Sequence, residues 1–206
     1  MDAPTPRDTP KSRRTRARIL EAALSLFVEV GYSGTTNAAI AERAKLTRGA
    51  MLYHFPTHED MIDAAINHIE GARAKLFDAA AAPHGPDASE QAIDAYWALL
   101  HEPAFVAFSE LESAARTDDM LRQRLAAAQS AFDHAQVGVR FNALARAGDD
   151  PRFQTSRDLG RFLLEGLAKG TLTYDQPERT ERLLAVVKRA VHILNRKGSV
   201  QDLWEV

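Results

Sequence analysis

Arginine is the residue in this chain best suited to chemistry, and its placement is uneven. Arg13, Arg14, Arg16 and Arg18 crowd together near the start, while Arg48 stands before two small residues, Gly49 and Ala50. A guanidinium pairs with phosphate, and in a DNA major groove it forks onto guanine O6 and N7. Gly49 and Ala50 would let the backbone beside Arg48 approach base edges. Tyr53 and His54 follow on the same segment, within reach of bases or phosphate. Thr36, Asn37, Lys45, Thr47 and His58 flank it as groups suited to fixing a register on the DNA backbone. The early arginines supply attraction that is indifferent to sequence. Arg14 is counted with the DNA contacts, and the most N-terminal of the four suits the minor groove.

Other chemistries are poorly served. There is no cysteine, so disulfides and thiolate metal sites are excluded. Of seven histidines, His54 and His58 are four apart, but Pro56 between them breaks the helix that such a ligand pair needs. No G-x-S-x-G elbow, Walker loop or dinucleotide glycine motif is present. The expectation is therefore no metal, no cofactor and no enzymatic activity.

Charge separates along the chain. Residues 1–56 hold nine Lys/Arg against five Asp/Glu, a net +4, and the remainder holds 17 against 23, a net −6. A basic head on an acidic body resolves the total of −2, because phosphate responds to local charge. No stretch approaches the roughly 18 apolar residues of a membrane span. The opening MDAPTPRDTP lacks the apolar run of a secretory signal. Together with the absence of cysteine, this points to the cytoplasm.

The elements that must position these groups are helical throughout. After residue 12 the apolar residues recur with a period near 3.6, and no alternating strand pattern appears. Residues 1–12, with three prolines, read as a mobile arm. A first helix is expected from about Ser12 to Val30, with Ile19, Ala23, Leu26, Phe27 and Val30 on one face and Gly31 and Gly34 ending it. Thr36 can cap a second helix that turns Ile40, Ala41 and Ala44 inward. Lys45 and Leu46 make the turn, and Thr47 caps a third helix that runs to about Phe55, before Pro56. A longer helix starts at Thr57 with Glu59 and Asp60 in its first turn, where the helix dipole favours negative charge.

Two short helices joined by such a turn form a helix-turn-helix, whose second helix enters the major groove. The stretch TTNAAIAERAKLTRGAMLYHFPTHEDM, from Thr35 to Met61, is more specific. Its order T-T-x-x-x-I-A-x-x-A, turn, T-R-G-A, H-F-P-x-x-E resembles the N-terminal domain of the TetR family of repressors. The resemblance covers roughly residues 13–62. It departs from the family at Lys45, where a turn glycine is usual, at Leu52 and Tyr53, where the family's tyrosine would stand one residue earlier, and at His58, where lysine is frequent.

The resemblance implies an all-α protein. An N-terminal three-helix DNA-binding domain over residues 13–56 precedes a larger helical domain over 57–206 that binds an effector and dimerises, about nine helices in all. It implies a homodimer on a pseudo-palindromic operator of double-stranded DNA, released by an unidentified small molecule, with the helix from Thr57 as the lever. A DNA-binding regulator or architectural protein without an effector remains the alternative.

Two late helices, about 152–174 and 177–196, carry apolar stripes too wide for one neighbour. Leu159, Phe162, Leu163, Gly166, Leu167 and Gly170 on the first, and Leu183, Val187, Ala190, Val191 and Leu194 on the second, are the expected dimer surface. For the effector, Trp97, His101, Phe105, Phe108, Glu112, Phe132, Asn142 and Phe162 combine bulk with a few polar groups. A plain core would look the same.

Overall fold

The computed structural model describes residues 9–80, 88–136, 151–174 and 176–195. Among them are nine helices and no strand, as the 3.6-residue period predicts. They are α1 (Pro10–Gly34), α2 (Asn37–Arg43), α3 (Arg48–His54), α4 (His58–Ala79), α5 (Ala88–Leu99), α6 (Pro103–Ala115), α7 (Asp119–Gln136), α8 (Pro151–Thr171) and α9 (Pro177–Asn195). Contacts gather the described residues into two compact units. One takes the chain up to Lys75 together with Pro103–Phe132, and the other takes Leu76–Glu102 and the residues from Asp133 onward. No described helix is long and apolar enough to cross a membrane.

Helix α1 starts two residues earlier than its apolar periodicity suggests. The Thr9 hydroxyl accepts from Ser12 N at 3.2 Å, and Pro10 occupies the first turn, where its missing N–H costs nothing. The regular helix breaks at Gly31, whose φ of +70° and ψ of −177° suit glycine alone, and one further turn carries the chain to Gly34. The break explains a miss on the expected face. Ile19, Ala23, Leu26 and Phe27 are buried, but Val30, at the kink, is 52% exposed.

The first unit has one continuous core. Ile19 and Phe27 from α1, Ile40 from α2, Met51 and Phe55 around α3, Met61 and Ile69 from α4, Leu111 from α6 and Leu121 from α7 are at most 2% exposed. Burying side chains of this size contributes about 1.5–3 kcal/mol each. Helix α6 lies along α1, so the N-terminal helices are braced by an element some seventy residues away in sequence. In the second unit α8 and α9 pack together and against α5, around Ile93, Leu164, Val187 and Val191.

Candidate nucleic-acid interface

The turn between α2 and α3 is held by backbone bonds that the sequence disguises. Thr36 caps α2 by accepting from Ala39 N at 3.2 Å. At the other end Lys45 N donates to Glu42 O at 2.9 Å and Leu46 N donates to Ala41 O at 2.9 Å, the paired bonds of a Schellman motif. That motif needs a left-handed residue, and Lys45 supplies it at φ 52°. The position is the one usually given to glycine, and a side chain there costs roughly 1–2 kcal/mol. Leu46 follows, half-buried against the core, and closes the underside of the turn.

Helix α3 is seven residues long, capped by Thr47, whose hydroxyl accepts from Ala50 N at 3.1 Å. Its back is pinned by Met51 and by Phe55 just beyond its end, each 1% exposed. Its front therefore faces solvent. Arg48 and Gly49 are exposed, Ala50 is half-buried, and Leu52 and Tyr53 are 38% and 46% exposed. A methyl group built on Gly49 would meet nothing within 4 Å, so its small size serves no intramolecular packing.

His54 sits elsewhere. It is 8% exposed, with its ring edge-on to Tyr53 at 5.3 Å between centroids. Burial first, and the nearby Arg16 charge second, hold its imidazole below the ordinary 6.5, so the neutral form dominates near pH 7. Arg16 is not a loose cation. Its Nη1 donates to His54 O at 3.1 Å, and its guanidinium lies 4.1 Å from the Phe55 ring centroid, tying α1 to the end of α3. Arg14 and Arg18 remain exposed on α1.

The flanks are also anchored. His58 Nδ1 meets Asn37 Oδ1 at 3.0 Å, which joins the start of α4 to the start of α2 beside the exposed Thr36. Thr57 and Asp60 form a reciprocal capping box at 3.2 and 3.0 Å. Arg124 of α7 hydrogen-bonds Glu59 O at 3.3 Å and pairs with Asp63. On α1 and α2, Arg43 forks onto both Glu29 oxygens at 2.6 and 2.7 Å and reaches Ser25 at 2.6 Å. The Arg43 and Ser25 bonds draw the Glu29 carboxyl down to about 2. Sequence spacing gave no hint of the Arg43 or Arg124 braces, because each joins two different helices, over 14 and 61 residues.

Comparison with known proteins agrees with this arrangement. The model of bacterial regulatory proteins of the tetR family matches residues 19–65, from within α1 to within α4. An HTH-type transcriptional regulator of Mycobacterium tuberculosis is 31% identical over 123 residues, which is 57% of this chain and 62% of that protein. An HTH-type transcriptional repressor from the same organism is 30% identical over 125 residues, 55% of this chain and 66% of its own length. This chain thus spans less than two thirds of either relative. Among solved structures, the multidrug binding protein EbrR complexed with imidazole superposes with a TM-score of 0.58 at 25% identity, over 84% of this chain and 93% of its own.

Residues 19–65 are thus similar to the N-terminal segment of the tetR family.

Beyond the TetR-type head, the expected effector residues fall into separate groups. Phe105, Phe108 and Phe132 are buried in the first unit and come together around Arg73, which the sequence reading passed over. Glu112 is exposed on α6. Trp97 and His101 belong to the second unit, where His101 Nδ1 meets Trp97 O at 2.8 Å. Phe162 is 64% exposed, and Asn142 lies outside the described residues.

The expected dimer residues divide as well. Val187, Val191 and Leu194 are 5–6% exposed and turn into the core of their own unit, while Leu159, Leu167 and Ala190 are half-buried. Phe162, Leu163, Gly166, Gly170 and Leu183 face outward, joined by Val186 at 64% and Leu172 at 80% exposed. A methyl group built on Gly166 or Gly170 would meet nothing within 4 Å.

Proposed function

We propose that this protein is a homodimeric transcriptional repressor that binds a pseudo-palindromic operator through α3 and is released by a small molecule. The observation that carries the reading is α3 itself. Its back is locked by Met51 and Phe55, and its front presents Arg48, Gly49 and Tyr53 on a head with net charge +4 over residues 1–56. Arg48 reads a base, Thr36, Asn37, Lys45, Thr47 and His58 hold phosphates, and Arg14 adds general attraction. Ala50 permits close approach, and buried His54 acts by supporting the helix. The domain reading follows: 13–56 for DNA, 57–206 for effector and dimer, in the cytoplasm.

The exposed apolar face of α8 and α9 supports a dimer in which Phe162, Leu163, Leu183 and Val186 meet a second copy. Two recognition helices about 34–36 Å apart would then read successive major grooves. Small-molecule release is supported by the likeness to a multidrug binding protein and by the aromatic cluster in the first unit. The effector need only prefer the non-binding conformation by a few kcal/mol to empty the operator.

The test is a mobility shift on the DNA flanking the protein's own gene across a salt series. A specific, salt-sensitive shift with dimer stoichiometry is expected, and Arg48→Ala should lose about 1–3 kcal/mol of discrimination between operator and random DNA. Weak binding indifferent to sequence would overturn the reading.

A further inference from the structure

Arg73, on α4, is 2% exposed and stands among three phenylalanines. Its guanidinium lies 3.9 Å from the ring centroid of Phe108, 4.3 Å from that of Phe132 and 5.0 Å from that of Phe105. Nη1 donates to Glu70 Oε1 at 2.8 Å and to Gln129 Oε1 at 3.2 Å, and Nη2 donates to the same Gln129 oxygen at 3.3 Å. Because one Gln129 oxygen serves both Nη atoms, it sits at the end of the fork. The side edge, formed by Nε and the neighbouring Nη2 proton, takes no part in these bonds, and Nε has no hydrogen-bond partner among the described residues. Glu70 already balances the Arg73 charge as an ion pair, but a buried N–H donor left idle is costly, and proteins generally fill such positions.

We infer that Arg73 is the polar anchor of the effector site and that the effector is an organic carboxylate with an apolar body. The inference rests on the ligand-released reading above and adds the ligand's chemical class. Two carboxylate oxygens match the Nε–Nη2 edge as a bidentate pair. The apolar body lies among Phe105, Phe108 and Phe132, the three rings around the guanidinium. Phe132, at 9% exposed, is the least buried of the three. Two of the rings belong to α6, the helix that packs along α1, so occupancy acts on the brace of the DNA-binding head.

The experiment uses the full-length protein, with benzoate, naphthoate and decanoate compared with their primary amides and with matching amines, by calorimetry and thermal shift. At least one acid should bind about tenfold or more tightly than its amide, the advantage of a charge-assisted pair, and should release operator DNA. In Arg73→Lys, which keeps the charge and loses the fork, acid affinity should fall to that of the amide while amide affinity stays put. If the variant does not fold by circular dichroism, the acid-to-amide comparison in the unaltered protein decides. Acids binding no better than amides, or an acid unaffected by Arg73→Lys, would overturn the inference. Binding by amides or amines alone would sink the carboxylate class and leave the ligand-released reading standing. Silence from all three sets would bring down both.

Discussion

Arg16 and His54 are joined across 38 residues by a hydrogen bond from Nη1 to the backbone carbonyl at 3.1 Å. The same guanidinium stacks on Phe55, so a residue that reads as one of four DNA-seeking arginines is part of the support of the recognition helix. The cluster on α1 thus contains side chains with different jobs. Arg14 and Arg18 face solvent, while Arg16 holds the end of α3.

The division is measurable. Arg16→Ala should lower unfolding stability by about 1 kcal/mol, given a charged hydrogen bond and a cation–π contact at a largely exposed site. It should weaken binding to every DNA sequence. Arg14→Ala should leave the denaturation midpoint unchanged and reduce the slope of log affinity against log salt by about one. Equal effects on stability would refute the distinction.

Lys45 holds a left-handed conformation that glycine adopts without strain. Lys45→Gly should therefore stabilise the protein by up to about 1 kcal/mol, seen as a higher melting temperature. If the lysine also meets a phosphate, the same variant binds DNA more weakly despite its greater stability. A fall in melting temperature would mean that the side chain contributes more than its backbone strain costs.

His54 makes stability depend on pH with a definite sign. Its folded-state value lies below 6.5, so the unfolded chain takes up a proton more readily than the folded one. The contribution is fully present above pH 6.5 and is lost as pH falls from there towards the folded-state value. Urea midpoints on the two sides of pH 6.5 should differ in the wild type, and the difference should shrink in His54→Gln. A pH dependence unchanged by the substitution would assign it to other groups.

The α8–α9 face offers a contrast between neighbours. Phe162→Glu places a charge on an exposed position and should convert dimer to monomer in sedimentation while leaving the helical spectrum intact. Val187→Glu places one beside Ile93, Leu164 and Val191 and should unfold the second unit, since burying an unpaired carboxylate costs several kcal/mol. A dimer that survives Phe162→Glu would move the interface elsewhere.

Much of the head was legible in the residues. Thr36 and Thr47 cap α2 and α3 because a hydroxyl bonds an N–H only three residues away. Ile40, Ala41 and Ala44 turn inward because helical spacing puts them on one side. Gly31 ends the regular helix because only glycine combines its φ of +70° with a ψ of −177°. These relations act within a turn or two of the chain, so local order suffices to predict them.

The rest depended on which elements come together. Periodicity marks Val187, Val191 and Phe162 alike as apolar, but only the packing of α5, α8 and α9 turns the valines inward and leaves the phenylalanine facing solvent. Arg16, His54, Arg43 and Arg73 have ordinary sequence neighbours. Arg16, Arg43 and Arg73 take their roles from contacts 38, 14 and 56 residues away, and His54 is the receiving end of the first. Burial and pairing over such separations are properties of surfaces that exist only once the helices have met. The sequence by itself therefore determined the helices, their caps and the recognition motif, and the tertiary structure decided which charged and apolar groups were buried and which were left on the surface.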